Sequence, residues 1–329
     1  MRPILVAPDS FKGTFAAPAV AAAIGRGLEG AGYPPPDLCP VADGGEGTMA
    51  ALLTTLGGTT AGAEVSDPLG RAVQAGFALI EDGATAIVEV AEASGLGRVA
   101  EAERDAEAAS SRGTGELIVA AVEAGAQVVL VAAGGSATTD GGRGAIEAIA
   151  DAGGLNGARL VVLCDVRTPF EDAARVFAPQ KGADPAAVRR LGRRLENLAV
   201  DWPRDPRGVA MTGAAGGLAG GLWATFGAVL EPGANFVLDT LDYDARMRTA
   251  AAVIVGEGRL DKTSMEGKAL GEAATRARQA GVPCFAIVGT AALGLFEERI
   301  LDLQRVLQGP TLKRIETAAA SLADVLPTR

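Results

Sequence analysis

Six times along this chain a short apolar run ends in residues able to handle charge or an anion. They are Asp9 with Lys12, Asp43 with Glu46, the turn Gly134 to Asp140, Asp165, Glu257 with Asp261, and Gly289 with Thr290. The absence of histidine excludes Ser-His-Asp and Cys-His hydrolases, H-E-x-x-H zinc enzymes and any imidazole base. Chemistry must therefore run on carboxylates, lysine, arginine, hydroxyls and backbone amides. That set suits phosphoryl transfer, in which positioning and charge stabilisation supply most of the catalysis. Asp43 and Glu46 could bind Mg²⁺ through oxygen or accept a substrate proton, and would equally serve as the N-cap and back-reaching residue of a capping box. Lys12 stands where a phosphate-pairing cation belongs, between a strand end and a helix start. Asp261 and Lys268 are further candidates for charge work, while Arg259 could equally lock a structural ion pair.

The elements that must position these residues are legible in outline. Val128 to Ala132 is too short for a free-standing helix and β-branched enough for a doubly buried strand. It runs into GGSATTDGG, Gly134 to Gly142, and then a helix at Ala145 to Ala150. A strand, a glycine turn and a helix start bring backbone N–H groups and short hydroxyls to an anion, although the same residues also make an ordinary tight turn and cap. Strands are expected at Pro3 to Ala7, Leu38 to Ala42, Ala158 to Leu163, Ala251 to Val255 and Pro283 to Val288. Helices are expected at Pro18 to Gly30, Met49 to Leu56, Ser111 to Glu123, Asp184 to Leu198, up to Gln279, and from Glu316 onward. Loose alternation about Asp67 to Gly70 and Asp82-Gly83 predicts hairpins and the start of a second domain near Gly57-Gly58. Glu101 to Ser110 reads as an exposed polar connector, Phe177 to Gly182 as a turn carrying a cation, and the arginines after Asp184 as a solvated helix face. The glycine-dense Thr212 to Leu222 permits either close helix packing or close approach of backbone to a ligand. In open α/β sheets ligands bind outside the carboxyl ends of strands, so repeated turns of one style imply a cleft.

At 329 residues, 48% hydrophobic and mean hydropathy +0.23, the chain has room for two well-filled domains. A net charge of −10 and a pI near 4.8 argue against nucleic acid or an anionic membrane as partner, leaving small molecules. Three cysteines without C-x-x-C spacing indicate neither a disulfide framework nor a zinc site. No secretory signal precedes Arg2-Pro3 and no apolar run approaches the roughly 20 residues of a membrane span, so a cytoplasmic location is expected. Neither familiar nucleotide fingerprint is present. Lys262 and Ala269 break the Walker pattern around Gly267-Lys268, and Asp261 stands where Gly256-x-Gly258 would need a third glycine.

In order, APDSFKGT (Ala7 to Thr14), ADGGEGT (Ala42 to Thr48), GTGELI (Gly113 to Ile118), GGSATTDGG, CDV (Cys164 to Val166), PQKGA (Pro179 to Ala183), GAAGGL (Gly213 to Leu218) and GEGRLD (Gly256 to Asp261) strongly resemble the type-1 glycerate kinase family over nearly the whole chain. The resemblance implies ATP- and Mg²⁺-dependent phosphorylation of D-glycerate, usually to 2-phosphoglycerate. It implies a Rossmann- or flavodoxin-like parallel-sheet α/β domain at 1–58 plus 243–329, with a mixed α/β domain at 59–242 inserted and the site between them. On that basis Lys12, Asp43 and Asp261 are the expected catalytic residues, with Asp43 as base and Asp261 as runner-up. Asp9, Ser10, Arg259 and Lys268 would bind substrate. Gly134, Gly135, Ser136, Thr138, Thr139 and Asp140 would hold ATP phosphates, and Asp165 and Glu257 would coordinate Mg²⁺. A homodimer is compatible with the pattern. The chain departs from the family in a short join, Asp151 to Gly157, before the CDV strand, in Thr168 to Ala173 before PQKGA, and in Glu266 where a histidine is common. A non-catalytic paralogue binding a small acid or nucleotide, or a kinase for a related hydroxy acid, are the alternatives.

Overall fold

The computed structural model describes residues 2–265 and 267–327, so Glu266 lies outside the described residues. The chain divides into two compact units. One comprises Met1–Asp43, Ala50–Leu56 and Ala234–Arg329, the other Gly44–Met49 and Gly57–Gly233. In chain order the strands are β1 (Ile4–Pro8), β2 (Asp37–Leu38), β3 (Thr59–Ser66), β4 (Ala72–Ile80), β5 (Thr85–Glu89), β6 (Val128–Ala132), β7 (Arg159–Cys164), β8 (Val229–Pro232), β9 (Ala252–Leu260), β10 (Cys284–Ala291) and β11 (Leu303–Gln308). The protein is α/β throughout, as expected.

In the first unit the sheet order is β11-β10-β9-β1-β2, and every pairing is parallel. β1 is buried from end to end, and β9 and β10 are buried over their first six residues and emerge only at their carboxyl ends, the pattern of a sheet covered on both faces. The helix Ala17–Gly30 carries Pro18 in its first turn and buries Val20, Ala21, Ile24 and Leu28 at helical spacing. It packs on the helix Leu312–Ser321 so closely that a Cβ on Gly27 would run into the Glu316 carbonyl.

The second unit carries a six-stranded mixed sheet in the order β3 to β8. The β3-β4 and β4-β5 pairs are antiparallel, and β5 through β8 are parallel. The core runs from Val88 and Val131 to Leu117, Ile149 and Leu218. A smaller cluster joins Phe170 and Leu191 to Trp202, with the two aromatic rings edge to face at 5.3 Å.

Several expectations shift. The strand expected at Leu38 to Ala42 ends at Leu38; Cys39 and Val41 still donate to Val6 and Pro8 carbonyls but form no continuous ladder. β8, β11 and the helices Gly233–Thr240 and Leu295–Ile300 went unpredicted, and the last α-helix begins at Leu312, before Glu316. The Glu101 to Ser110 connector is not simply exposed, because Ala106 and Ala109 are buried. The join after the helix Arg143–Asp151 is a tight turn in which Gly153, Gly154, Asn156 and Gly157 all take positive φ.

Candidate active site

Parallel strands deliver their carboxyl ends to one edge, and in the first unit that edge collects the charge. Pro8 lies opposite Gly256, Val288 opposite Glu257 and Thr290 opposite Arg259, so Asp9, Glu257, Arg259, Asp261 and Thr290 arrive together. They line a cavity of about 400 Å³ with Ser10, Lys12, Asp43, Lys268 and Pro310. All seven residues expected to serve catalysis and substrate binding, Lys12, Asp43, Asp261, Asp9, Ser10, Arg259 and Lys268, are on this wall. Lys12 Nζ pairs with Asp43 Oδ2 at 2.7 Å; the Asp43 side chain is fully buried, and that of Lys12 is 45% exposed. Asp9 accepts from the Ser10 amide at 2.6 Å, and burial, reinforced by Asp43, pushes its carboxyl up to about 8 against the pull of Lys12. Burial likewise raises Glu257 to about 7, opposed by Ser264 and Lys268. Among the described residues, Ser10 Oγ and Glu257 Oε1 are buried with no hydrogen-bond partner. Unmet polar atoms on a cavity wall are what a polar ligand would satisfy. Asp261 is held differently: it accepts from the Thr263 hydroxyl at 2.6 Å and amide at 2.9 Å, and meets Arg259 Nε at 3.2 Å. These contacts, the Thr263 hydroxyl first, keep its carboxyl below the usual range.

The second unit holds a cavity of about 200 Å³ at the carboxyl ends of β6 and β7. Gly134, Gly135, Ser136, Asp165, Lys181, Ala215 and Gly216 line it. Gly134 leaves no room for a side chain, since a Cβ there would lie 2.6 Å from the Gly45 Cα, and Gly135 has φ +69°. Beyond Ser136 the GGSATTDGG turn does not reach the cavity. Thr138 and Thr139 are fully buried, with hydroxyls that lack partners among the described residues, and neither lines the cavity. Asp140 braces two helices: its carboxylate accepts from the Ser111 amide and hydroxyl, each at 2.8 Å, and from the amides of Gly142 and Gly144 at 3.1 and 3.2 Å.

Lys181 and Glu89 are buried ionisable residues that were not singled out from the sequence. Lys181, only 2% exposed, donates to Ser136 Oγ at 2.8 Å and to the Thr138 carbonyl at 2.5 Å. Burial lowers its amine to about 7, opposed by Asp140 and Asp165. The cation of PQKGA was its only signal. Glu89, at the end of β5, accepts from the amides of Gly47 and Met49 at 3.0 and 2.7 Å, and burial raises it to about 7. Its only local signal is that it ends the apolar run Ala86 to Val88.

Asp165 and Glu257 lie in different cavities, and among the described residues no group of three or more Cys, Asp or Glu is placed to hold a metal ion. The donors present fit a hard cation that arrives with phosphate oxygens and takes one or two carboxylates, as Mg²⁺ commonly does.

A sequence model of the glycerate kinase family matches residues 4–152 and 150–325. The chain belongs to that family. Glycerate kinase family members similar to it include the glycerate 2-kinase of Escherichia coli (strain K12), 36% identical over 91% of this chain and 88% of that one. The glycerate kinase of Halalkalibacterium halodurans is 34% identical over 99% of this chain and 98% of its own. A crystal structure assigned as glycerate kinase 2 from Salmonella typhimurium LT2 superposes with a TM-score of 0.82 at 33% identity, covering 98% and 97% of the two chains. Family membership makes this protein a kinase. The two matched stretches meet at residues 150–152, where the short glycine turn leads into β7.

Proposed function

We propose that this kinase phosphorylates D-glycerate with ATP and Mg²⁺, giving 2-phosphoglycerate. The observation that carries the reading is the first-unit cavity, where a buried aspartate paired to a lysine meets Arg259 and Lys268 beside unpartnered Ser10 and Glu257 oxygens. Glycerate is a small hydroxylated anion, and that wall offers a cation for its carboxylate and polar atoms for its hydroxyls. Lys12, with Arg259 or Lys268, holds the carboxylate or the group in transfer. Asp43 orients the attacking hydroxyl and takes its proton as the new P–O bond forms and the bond to the departing ADP breaks. Asp261, engaged by Thr263 and Arg259, is less suited to that proton transfer and more to orienting Arg259. Asp9 and Ser10 line the substrate. The Gly134 to Thr139 turn receives ATP phosphates through backbone N–H groups and the Ser136 hydroxyl. Asp165 and Glu257 would hold Mg²⁺, which when bound neutralises charge on the phosphates.

The test is ADP release coupled to D-glycerate, followed by identification of the phosphoglycerate isomer. Turnover with D-glycerate and a 2-phospho product is expected. ADP release only with another hydroxy acid, or nucleotide binding without turnover, would replace this reading.

A further inference from the structure

We propose that Lys181 is a positioning residue that aims the Ser136 hydroxyl at a phosphate, an inference that rests on the reading of the Gly134 to Thr139 turn as a phosphate site. In its ammonium form, which the charges of Asp140 and Asp165 favour against burial, Lys181 has three hydrogens to give and no lone pair to accept with. It gives one to Ser136 Oγ at 2.8 Å and one to the Thr138 carbonyl at 2.5 Å. Ser136 Oγ is therefore an acceptor toward Lys181, and its own hydrogen must point elsewhere. Among the described residues that hydroxyl donates to no protein atom, and both side chains line the cavity that Gly134, Gly135 and Asp165 also face. The turn's backbone is already pinned: Ser136 bridges Gly95, the Leu96 amide donates to the Gly135 carbonyl at 2.8 Å, and the Ala137 amide to Ser94 at 2.9 Å. The torsion of the hydroxyl is the freedom left, and Lys181 removes it. Burying an ammonium on a three-residue turn is unfavourable unless its hydrogens are used. Asp140, whose carboxylate is held by Ser111, Gly142 and Gly144, and Asp165 are the nearby negative charges that favour the ammonium against burial. An arriving phosphate supplies the acceptor for the Ser136 hydrogen.

The experiment is a double-mutant cycle on full-length protein, with the dissociation constant of MgATP measured calorimetrically and KM for D-glycerate measured alongside. Ser136→Ala and Lys181→Met are each expected to weaken MgATP by about ten-fold, on the scale of one lost hydrogen bond to a charged group. KM for D-glycerate should not move. The double variant should be no weaker than the worse single one, because Lys181 acts through Ser136. Multiplying effects, or normal MgATP affinity in Lys181→Met, would overturn the inference while the phosphate reading stands. Unchanged affinity in Ser136→Ala would remove that reading and the inference with it. If Lys181→Met does not fold, Lys181→Gln takes its place with the opposite expectation: it keeps an N–H donor for Ser136, so near-normal MgATP affinity is expected and a loss of about ten-fold would overturn the inference.

Discussion

Asp43 and Asp261 line one cavity but are held in different ways, and that difference decides which is tested first. Asp43 is fully buried against Lys12, whereas Asp261 accepts two hydrogen bonds from Thr263 and pairs with Arg259. Asp43→Asn should lower kcat by about 10²- to 10⁴-fold, the usual contribution of a positioned base, with KM for D-glycerate little changed. Near-normal kcat under saturating ATP and Mg²⁺ would remove the base assignment. Lys12→Ala should chiefly raise KM for D-glycerate, and steady-state kinetics would show a normal KM if the clamp is elsewhere. Glu89 makes a prediction about stability. Its folded value of about 7 lies above the ordinary 4.5, so the native state binds its proton more tightly than the unfolded chain does. The associated stability is complete below about 4.5 and is lost as pH rises through about 7, reaching on the order of 3 kcal/mol. Glu89→Gln should therefore flatten the fall of Tm with pH over that window, and equal slopes in melting scans of the two proteins would refute the assignment. Strand-end carboxylates such as Asp9 and Asp43 could be read from the sequence because each follows an apolar run. Glu89 also follows one, but its importance lies in two amides 42 and 40 positions away in the chain, at Gly47 and Met49.

Elements were legible where their own residues carry the pattern. β6 spans Val128–Ala132 as the apolar run predicts, and the hairpin of β3 and β4 turns at Asp67 to Gly70. The elements that were missed are short or at an edge. β11, Leu303–Gln308, lies at the sheet edge with a mixed and partly exposed sequence, and β8 is only four residues long. Their strand state comes from the neighbour they pair with, which local propensity does not report. The glycine-dense GAAGGL stretch left packing and ligand approach open, and the structure shows close packing beside a cavity wall. Gly220 and Gly221 leave no room for side chains against the Thr212 and Gly141 carbonyls, while Ala215 and Gly216 line the second cavity. Gly216 has φ +68°, and a Cβ there would run into the Thr138 carbonyl. Gly216→Ala should cost about 2–4 kcal/mol through combined strain and clash. Gly153→Ala, at φ +86° but in open space, should cost about 1 kcal/mol. Chemical denaturation of both variants checks the order, and equal losses would mean the backbone around Thr138 yields freely.

At the scale of the molecule, no helix among the described residues is long and apolar enough to cross a membrane. Nor is there a preformed cluster of metal ligands among them. If Mg²⁺ comes with the nucleotide, EDTA should abolish turnover and leave the Tm of the ligand-free protein unchanged; an EDTA-dependent fall in Tm would instead reveal a resident ion. By itself the sequence determined the α/β class, the family, the kind of chemistry that a chain without histidine can perform, and the strand ends that bear the charge. Those properties are written in composition, in runs of neighbouring residues and in turn glycines. Only the tertiary structure decided how the charges are used: that Lys12 meets Asp43 across 31 positions, that Asp140 braces helices, and that Lys181 reaches Ser136 across 45. Burial and pairing depend on which distant segments share a sheet edge, and no local pattern encodes that.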